Sequence, residues 1–169
     1  MPTYTIRPFE PRDREAVIDL KWEMSRFHEH LPPSGTPIDR DYDHSRDAAR
    51  AAITRDLSYI ETKGGALLVA EVDGRLVGYL SWYIDDRAGS ATIFPERRPL
   101  AYVAGVCVTA SHRSRGIGTA LLAHAEAQAR ERGIARLGIG VRTSNGGAVR
   151  LYEEFGFCGI ELRMFKALD

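Results

Sequence analysis

"HRSRGIGTALLAHAEAQARERG", residues 112–133, packs two arginines and two glycines into the six residues Arg113–Gly118, just where a long alanine-rich helical pattern begins. Helix starts favour Ser, Thr, Asp or Asn, because the first N–H groups lack partners and the helix dipole is positive there. Paired cations at that point make sense if an anion is to sit on the helix end. Gly116 and Gly118 carry no side chains, so a phosphate can approach the backbone closely. Arg113 and Arg115 add charge around a site already positive. The stretch therefore reads as a cradle for a diphosphate; the plainer alternative is a tight turn flanked by solvated arginines. A P-loop is excluded, since no Lys followed by Ser or Thr comes after the second glycine. The dinucleotide fingerprint also fails: "GIGTAL" ends in Leu121, and the preceding strand stops well short of Gly116.

The chain of 169 residues is expected to form one domain, residues 1–169, large enough to bury a core. Its formal net charge of +0 excludes a strongly basic nucleic-acid binder. Cys107 and Cys158 provide neither a disulfide framework nor a CxxC pair. "MPTYTIRPFEPRDRE" turns charged at once, unlike a signal peptide, and no run approaches the roughly 20 apolar residues of a membrane span. The expectation is a cytoplasmic α/β protein with neither nucleic-acid nor membrane partners.

Outward from the opening stretch, the pattern is regular. Residues 3–8 alternate as a first strand. "PRDREAVIDLKWEMSRFHEH" has apolar residues at helical spacing and is broken by "LPPSGTP". A second helix runs from about Tyr42 to Thr62 and stops at "KGG". "ALLVAEV" and "RLVGYLSWYI" flank Asp73-Gly74, a pair suited to a type I′ hairpin. A polar loop, 85–99, leads to the buried strand "LAYVAGVCV". The helix over 116–132 ends at Gly133. "ARLGIGVR" is a further strand, "NGGAVRLYEEF" a short helix with an Asn cap, and "FCGIELRMFKAL" a last strand. The order is β-α-α-β-β-β-α-β-α-β, with long loops at 31–41 and 85–99.

Arg113-Ser114-Arg115-Gly116-Ile117-Gly118 following "VCV" resembles the acetyl-CoA motif of the GNAT superfamily of N-acetyltransferases. "NGGAVRLYEEFGF" is similar to its second motif, with Asn145, Ala148, Leu151, Tyr152 and Phe155-Gly156-Phe157 in matching places. The specific motifs lie in residues 102–158, while the element order agrees over nearly the whole chain. The resemblance implies an α/β (α+β) fold: a central, mixed, mostly antiparallel sheet, flanked by helices and splayed between two parallel strands, here 101–108 and 135–142. It implies acetyl-CoA as cosubstrate, with its pantetheine arm in the splay. The backbone of Val106, Cys107 and Val108 would then stand in for a missing partner strand. Residues 113–119, including Thr119, would hold the diphosphate, and Asn145 and Tyr152 would contact the cofactor. Gly105 permits a bulge just before. By the same resemblance the Val106 N–H polarises the thioester carbonyl, and Tyr152 is the acid beside the sulfur. Read without the resemblance, Tyr152 is a core tyrosine, Asn145 a helix cap, and Val106 and Val108 core packing.

Acetyl transfer to an amine also needs the amine neutral. At a pKa of about 10.4, only roughly one lysine-like amine in 2500 is uncharged at pH 7. Here the sequence departs from many relatives, which carry a glutamate on the strand before the first motif. Tyr102, Ala104 and Gly105 occupy that region, and no carboxylate lies between Leu100 and Ala110. The base must come from Glu23, His28, Glu29, His30, Asp85 or Asp86, or from a chain of waters. His28 and His30 are two apart and so point to different helix faces, which speaks against a metal site. By the same resemblance Asp39, Asp41, Asp43 and Asp47 fall in the region that shapes the acceptor pocket, where an acidic rim would suit a cationic amine, although Arg40, His44 and Arg46 lie among them. Two readings follow: an N-acetyltransferase acting on a small-molecule or peptide amine by direct attack in a ternary complex, or a catalytically weak or inactive acyl-CoA-binding module of the same fold. A homodimer is expected by analogy with the family alone.

Overall fold

The computed structural model describes residues 4–31, 42–86, 99–160, 162 and 164. Five strands, β1 (Thr5–Pro8), β2 (Gly65–Val72), β3 (Arg75–Asp85), β4 (Leu100–Val108) and β5 (Leu137–Ile139), lie side by side in chain order. The first four are antiparallel, and β5 runs parallel to β4. The β2–β3 hairpin turns through Asp73 and Gly74, at φ 50° and 75°, as the Asp-Gly pair requires.

Among the described residues, four helices cover the sheet. On one face lie α1 (Arg14–Glu29) and α2 (Arg46–Lys63), which bury Val17, Ile18 and Ile53 against Leu67, Val69, Tyr79 and Cys107. On the other lie α3 (Ile117–Glu131) and α4 (Gly146–Phe155), whose Ile117, Leu121, Leu122 and Tyr152 meet Leu68, Leu80, Trp82 and Val103. Helix α2 begins later than its pattern predicts because the Ser45 hydroxyl caps it, accepting from the Ala48 N–H at 3.1 Å.

Two strand expectations change. Residues 135–142 read as one strand, but only Leu137–Ile139 pair, opposite Ala101, Tyr102 and Val103. Of the expected last strand, Phe157–Ile160 lie outside any strand, and most of the remainder falls outside the described residues, as does much of both long loops.

The feature that organises the molecule is an extra residue in β4. Trp82 pairs with Val103 and Ser81 with Gly105, so Ala104 is left over as a bulge. Before it, the Ala101 N–H points to β5 and donates to the Arg136 carbonyl at 2.9 Å. Beyond it, the Thr109 N–H points to β3, donating to the Val77 carbonyl at 2.8 Å. Residues of one parity thus face β5 before the bulge and β3 after it. Side chains exchange faces too: Ala101 and Val103 pack toward α3, whereas Cys107 packs toward α1.

Candidate active site

Because the bulge reverses the alternation, the N–H and C=O groups of Val106 and Val108 point away from β3. They face the side on which β5 has already ended at Ile139. Among the described residues no strand pairs with this stretch of β4 on that side, and an edge within the sheet is left open. Cys107 has the opposite parity: its backbone faces β3, and its thiol donates to the Leu20 carbonyl at 3.3 Å. Burial pushes that thiol up to about 12, so it is an inert core group.

The opening motif forms the rim of this edge. Gly116, at φ 79°, is the N-cap of α3, whose first turn has neither a side-chain cap nor an acidic residue. Ser114 also has positive φ, 58°. By contrast, α4 is capped by Asn145, whose Oδ1 accepts from the Ala148 N–H at 3.2 Å. An uncapped, positively polarised helix end beside exposed Arg115 and Thr119 fits a diphosphate. Ile117 contributes its place in the first turn while its side chain is buried in the core. Gly118 has a second reason to be glycine, since a Cβ there would stand 3.3 Å from Leu151 Cδ2 of α4. Arg113 takes a different course from that expected: its Nε donates to the Val108 carbonyl at 3.1 Å, and its guanidinium stacks 4.5 Å over the Phe27 ring of α1.

Tyr152 projects from α4 into the cluster that also receives the side chains of Val106 and Val108. It is 9% exposed, with the Phe157 ring edge-on at 5.9 Å. Burial raises its phenol to about 12, so it remains a hydrogen-bond donor at any working pH.

The carboxylates and histidines considered as bases are dispersed. Glu23 Oε1 accepts from the Ala110 N–H at 2.9 Å and so braces the loop after β4. Glu29 and His30 are exposed, and Asp86 lies near Lys63 at 3.9 Å. Asp85 ends β3. His28 is half-buried, and burial, with Arg142, Lys21, His44 and Arg113 nearby, lowers it to about 4, so it is neutral at pH 7. Of the proposed acidic rim, Asp43 accepts from the Ser45 N–H at 2.8 Å and Asp47 sits in the first turn of α2. Asp39 and Asp41 lie outside the described residues.

The sequence offered no signal for a buried polar set on the α1–α2 face: Asp56, Ser81 and Tyr79. Asp56 sits in a highly charged helix, and the other two in a strand that reads as core.

An open edge in a splayed sheet, facing an uncapped helix end, is the architecture of an acyl-CoA-dependent transferase. Residues 16–157 match the acetyltransferase (GNAT) family, and the chain belongs to that family. Its cosubstrate is acetyl-CoA. The chain is 30% identical over 155 residues to an acetyltransferase of Pectobacterium atrosepticum, covering 90% of this chain and 86% of that one. It is 32% identical over 102 residues to an N-alpha-acetyltransferase of Sulfurisphaera tokodaii, covering 60% of this chain and 61% of that protein's length. The structure of an aminoglycoside 6′-N-acetyltransferase of Acinetobacter haemolyticus shares the fold, with a TM-score of 0.70 at 17% identity and 98% of each chain covered.

Proposed function

We propose that the chain transfers the acetyl group of acetyl-CoA directly to a primary amine, with both substrates bound together. The observation that carries this reading is the open edge at Val106 and Val108 beside the uncapped start of α3. In this reading the backbone of Val106 and Val108 holds the pantetheine arm, and the first turn of α3 with Arg115 holds the diphosphate. The Val106 N–H donates to the thioester carbonyl oxygen, where negative charge develops as nitrogen attacks. Tyr152 stands beside the sulfur. Full proton transfer from a phenol at about 12 to a thiolate whose conjugate acid titrates near 8.5 runs uphill. The hydroxyl therefore acts as a donor that stabilises the departing thiolate, and water supplies the proton. Asn145, its Oδ1 engaged in the cap, has its amide N–H groups to offer the cofactor.

The acceptor is a peptide or small-molecule amine. A peptide α-amino group is the first candidate, because the Sulfurisphaera relative is named for Nα-acetylation. The test is thiol release from acetyl-CoA with peptides, polyamines and aminoglycosides in parallel. Release with at least one amine, and product carrying the acetyl group on nitrogen, is expected. Tight acetyl-CoA binding with no release across the panel favours the binding-module reading. Homodimer formation is proposed by family analogy alone, and sedimentation at micromolar concentration decides it.

A further inference from the structure

On β4, LAYVAGVCV, two side chains carry a polar atom, Tyr102 and Cys107. The Cys107 thiol is engaged with the Leu20 carbonyl. The Tyr102 hydroxyl makes no hydrogen bond among the described residues, and unlike the Tyr79 hydroxyl it is not sealed from solvent. Its ring is nonetheless firmly held. Alternation along β4 places it on the α1–α2 face, opposite to Ala101 and Val103. There it packs on Tyr83 of β3, with centroids 5.6 Å apart, and Tyr83 packs on Tyr59 of α2 at 5.0 Å. Tilted aromatic pairs of this kind favour a defined ring orientation.

The hydroxyl end of this ring lies at the fork of the sheet. Tyr102 pairs with Gly138, and the last β4–β5 pair is Val103 with Ile139. The ring leans forward along the strand: a Cβ on Gly140, the first residue past that pair, would stand 3.2 Å from Tyr102 Oη. Gly140 thus leaves room for a hydroxyl at the level of the Ala104 bulge, where β4 and β5 part and the open edge begins. Ile117 at the start of α3 and Tyr152 cover the other face of that edge. An acceptor therefore reaches a thioester held there from the α1–α2 face, past Tyr102.

We propose that the Tyr102 hydroxyl holds the acceptor amine at the fork, its oxygen accepting an N–H hydrogen bond so that the nitrogen lone pair points at the thioester carbon. The proposal rests on the acetyltransferase reading above. A hydroxyl offers acceptor lone pairs beside its donor, so it can take an amine N–H while donating to water. Holding the nucleophile in an attacking geometry removes freedom that would otherwise have to be lost in the transition state. As the N–C bond forms and the C–S bond breaks, coenzyme A leaves as thiolate. The proton shed by the nitrogen goes to water, and water protonates the thiolate. Tyr102 is the group that touches substrate; Tyr83 and Tyr59 act through it by fixing its ring.

The test uses Tyr102→Phe, which keeps the ring and its packing and removes only the hydroxyl. The probe is a peptide with a free α-amino group, or whichever polyamine or aminoglycoside the wild type acetylates. With acetyl-CoA saturating, the single-turnover rate is expected to fall by about 10²-fold, the scale of a misplaced reactant. Acetyl-CoA affinity by calorimetry and the melting temperature should be unchanged. Gly140→Ala provides a second reading, because its methyl group crowds the hydroxyl without removing it. It should slow transfer in the wild-type background and add little in Tyr102→Phe, where no hydroxyl remains to displace. If Tyr102→Phe does not fold, Gly140→Ala decides, and an undiminished rate there overturns the proposal. An undiminished rate in Tyr102→Phe overturns it by itself. So does a slower rate matched by weaker acetyl-CoA binding or a lower melting temperature, since Tyr102 would then serve the sheet and not the amine. Absence of transfer to any amine by the wild type overturns it together with the reading on which it rests.

Discussion

Two tyrosines approach β4 from opposite faces of the sheet, and their surroundings give them different work. Tyr152 lies in apolar packing with Phe157, Val106 and Val108. If its hydroxyl supports the leaving sulfur, Tyr152→Phe should lower the single-turnover rate about ten- to a hundredfold, the scale of one charge-assisted hydrogen bond. CoA affinity should hold, because the ring remains. Since the phenol sits at about 12, the wild-type rate should show no alkaline limb from this group near pH 10; such a limb, lost in Tyr152→Phe, would contradict the assignment. Tyr79 is constrained by Gly105. Gly105→Ala should destabilise by about 1–3 kcal/mol through overpacking, and Tyr79→Phe in the same chain should recover much of that loss, as read by urea midpoints. Tyr152 and Asn145 were legible because they sit inside a motif with fixed spacing. Asp56, Ser81 and Tyr79 were not, because what brings them together is the register of β3 against β4 and the rotation of α2, neither of which leaves a local pattern.

At the scale of elements, hydrophobic periodicity located the four helices and five strands of the described residues, but not where pairing stops. Residues 135–142 carry a strand pattern throughout, yet pairing stops at Ile139 opposite Val103, although the backbone groups of Val106 and Val108 beyond the bulge still face that side. A bulge is a relation between two strands, and Gly105 hinted at it without fixing the residue. The close contact between α3 and α4 was also hidden. Gly118 was read for its approach to phosphate, while its missing Cβ equally makes room for Leu151. Gly118→Val should therefore cost about 1–3 kcal/mol even without ligand. The cost should shrink when measured in a Leu151→Ala background, and full additivity of the two changes in denaturant unfolding would refute the contact.

For the molecule as a whole, stability in acid is set by groups far from the chemistry. Arg7 on β1 holds Asp13, ahead of α1, at 2.7 Å and Glu71 on β2 at 3.0 Å. The hydrogen bond from Arg7 keeps Asp13 below the usual carboxylate range. This contribution is complete above the ordinary Asp value, near 4, and is lost as pH falls through the depressed one. Arg7→Met should destabilise by about 3 kcal/mol at pH 7, because it strands a buried carboxylate, and the gap to wild type should narrow in acid. At the alkaline end the sign reverses. Cys107 and Tyr152 are both raised to about 12, so the folded state holds protons that the unfolded chain releases, and stability falls as pH climbs toward 12. The open edge left by the bulge also gives the core strand an uneven exposure to solvent chemistry. In deuterated water the amide of Val106 should exchange rapidly while those of Gly105 and Cys107, locked to β3, stay protected. Acetyl-CoA should then slow Val106 selectively, turning a two-residue ripple in the exchange map into a smooth, protected strand.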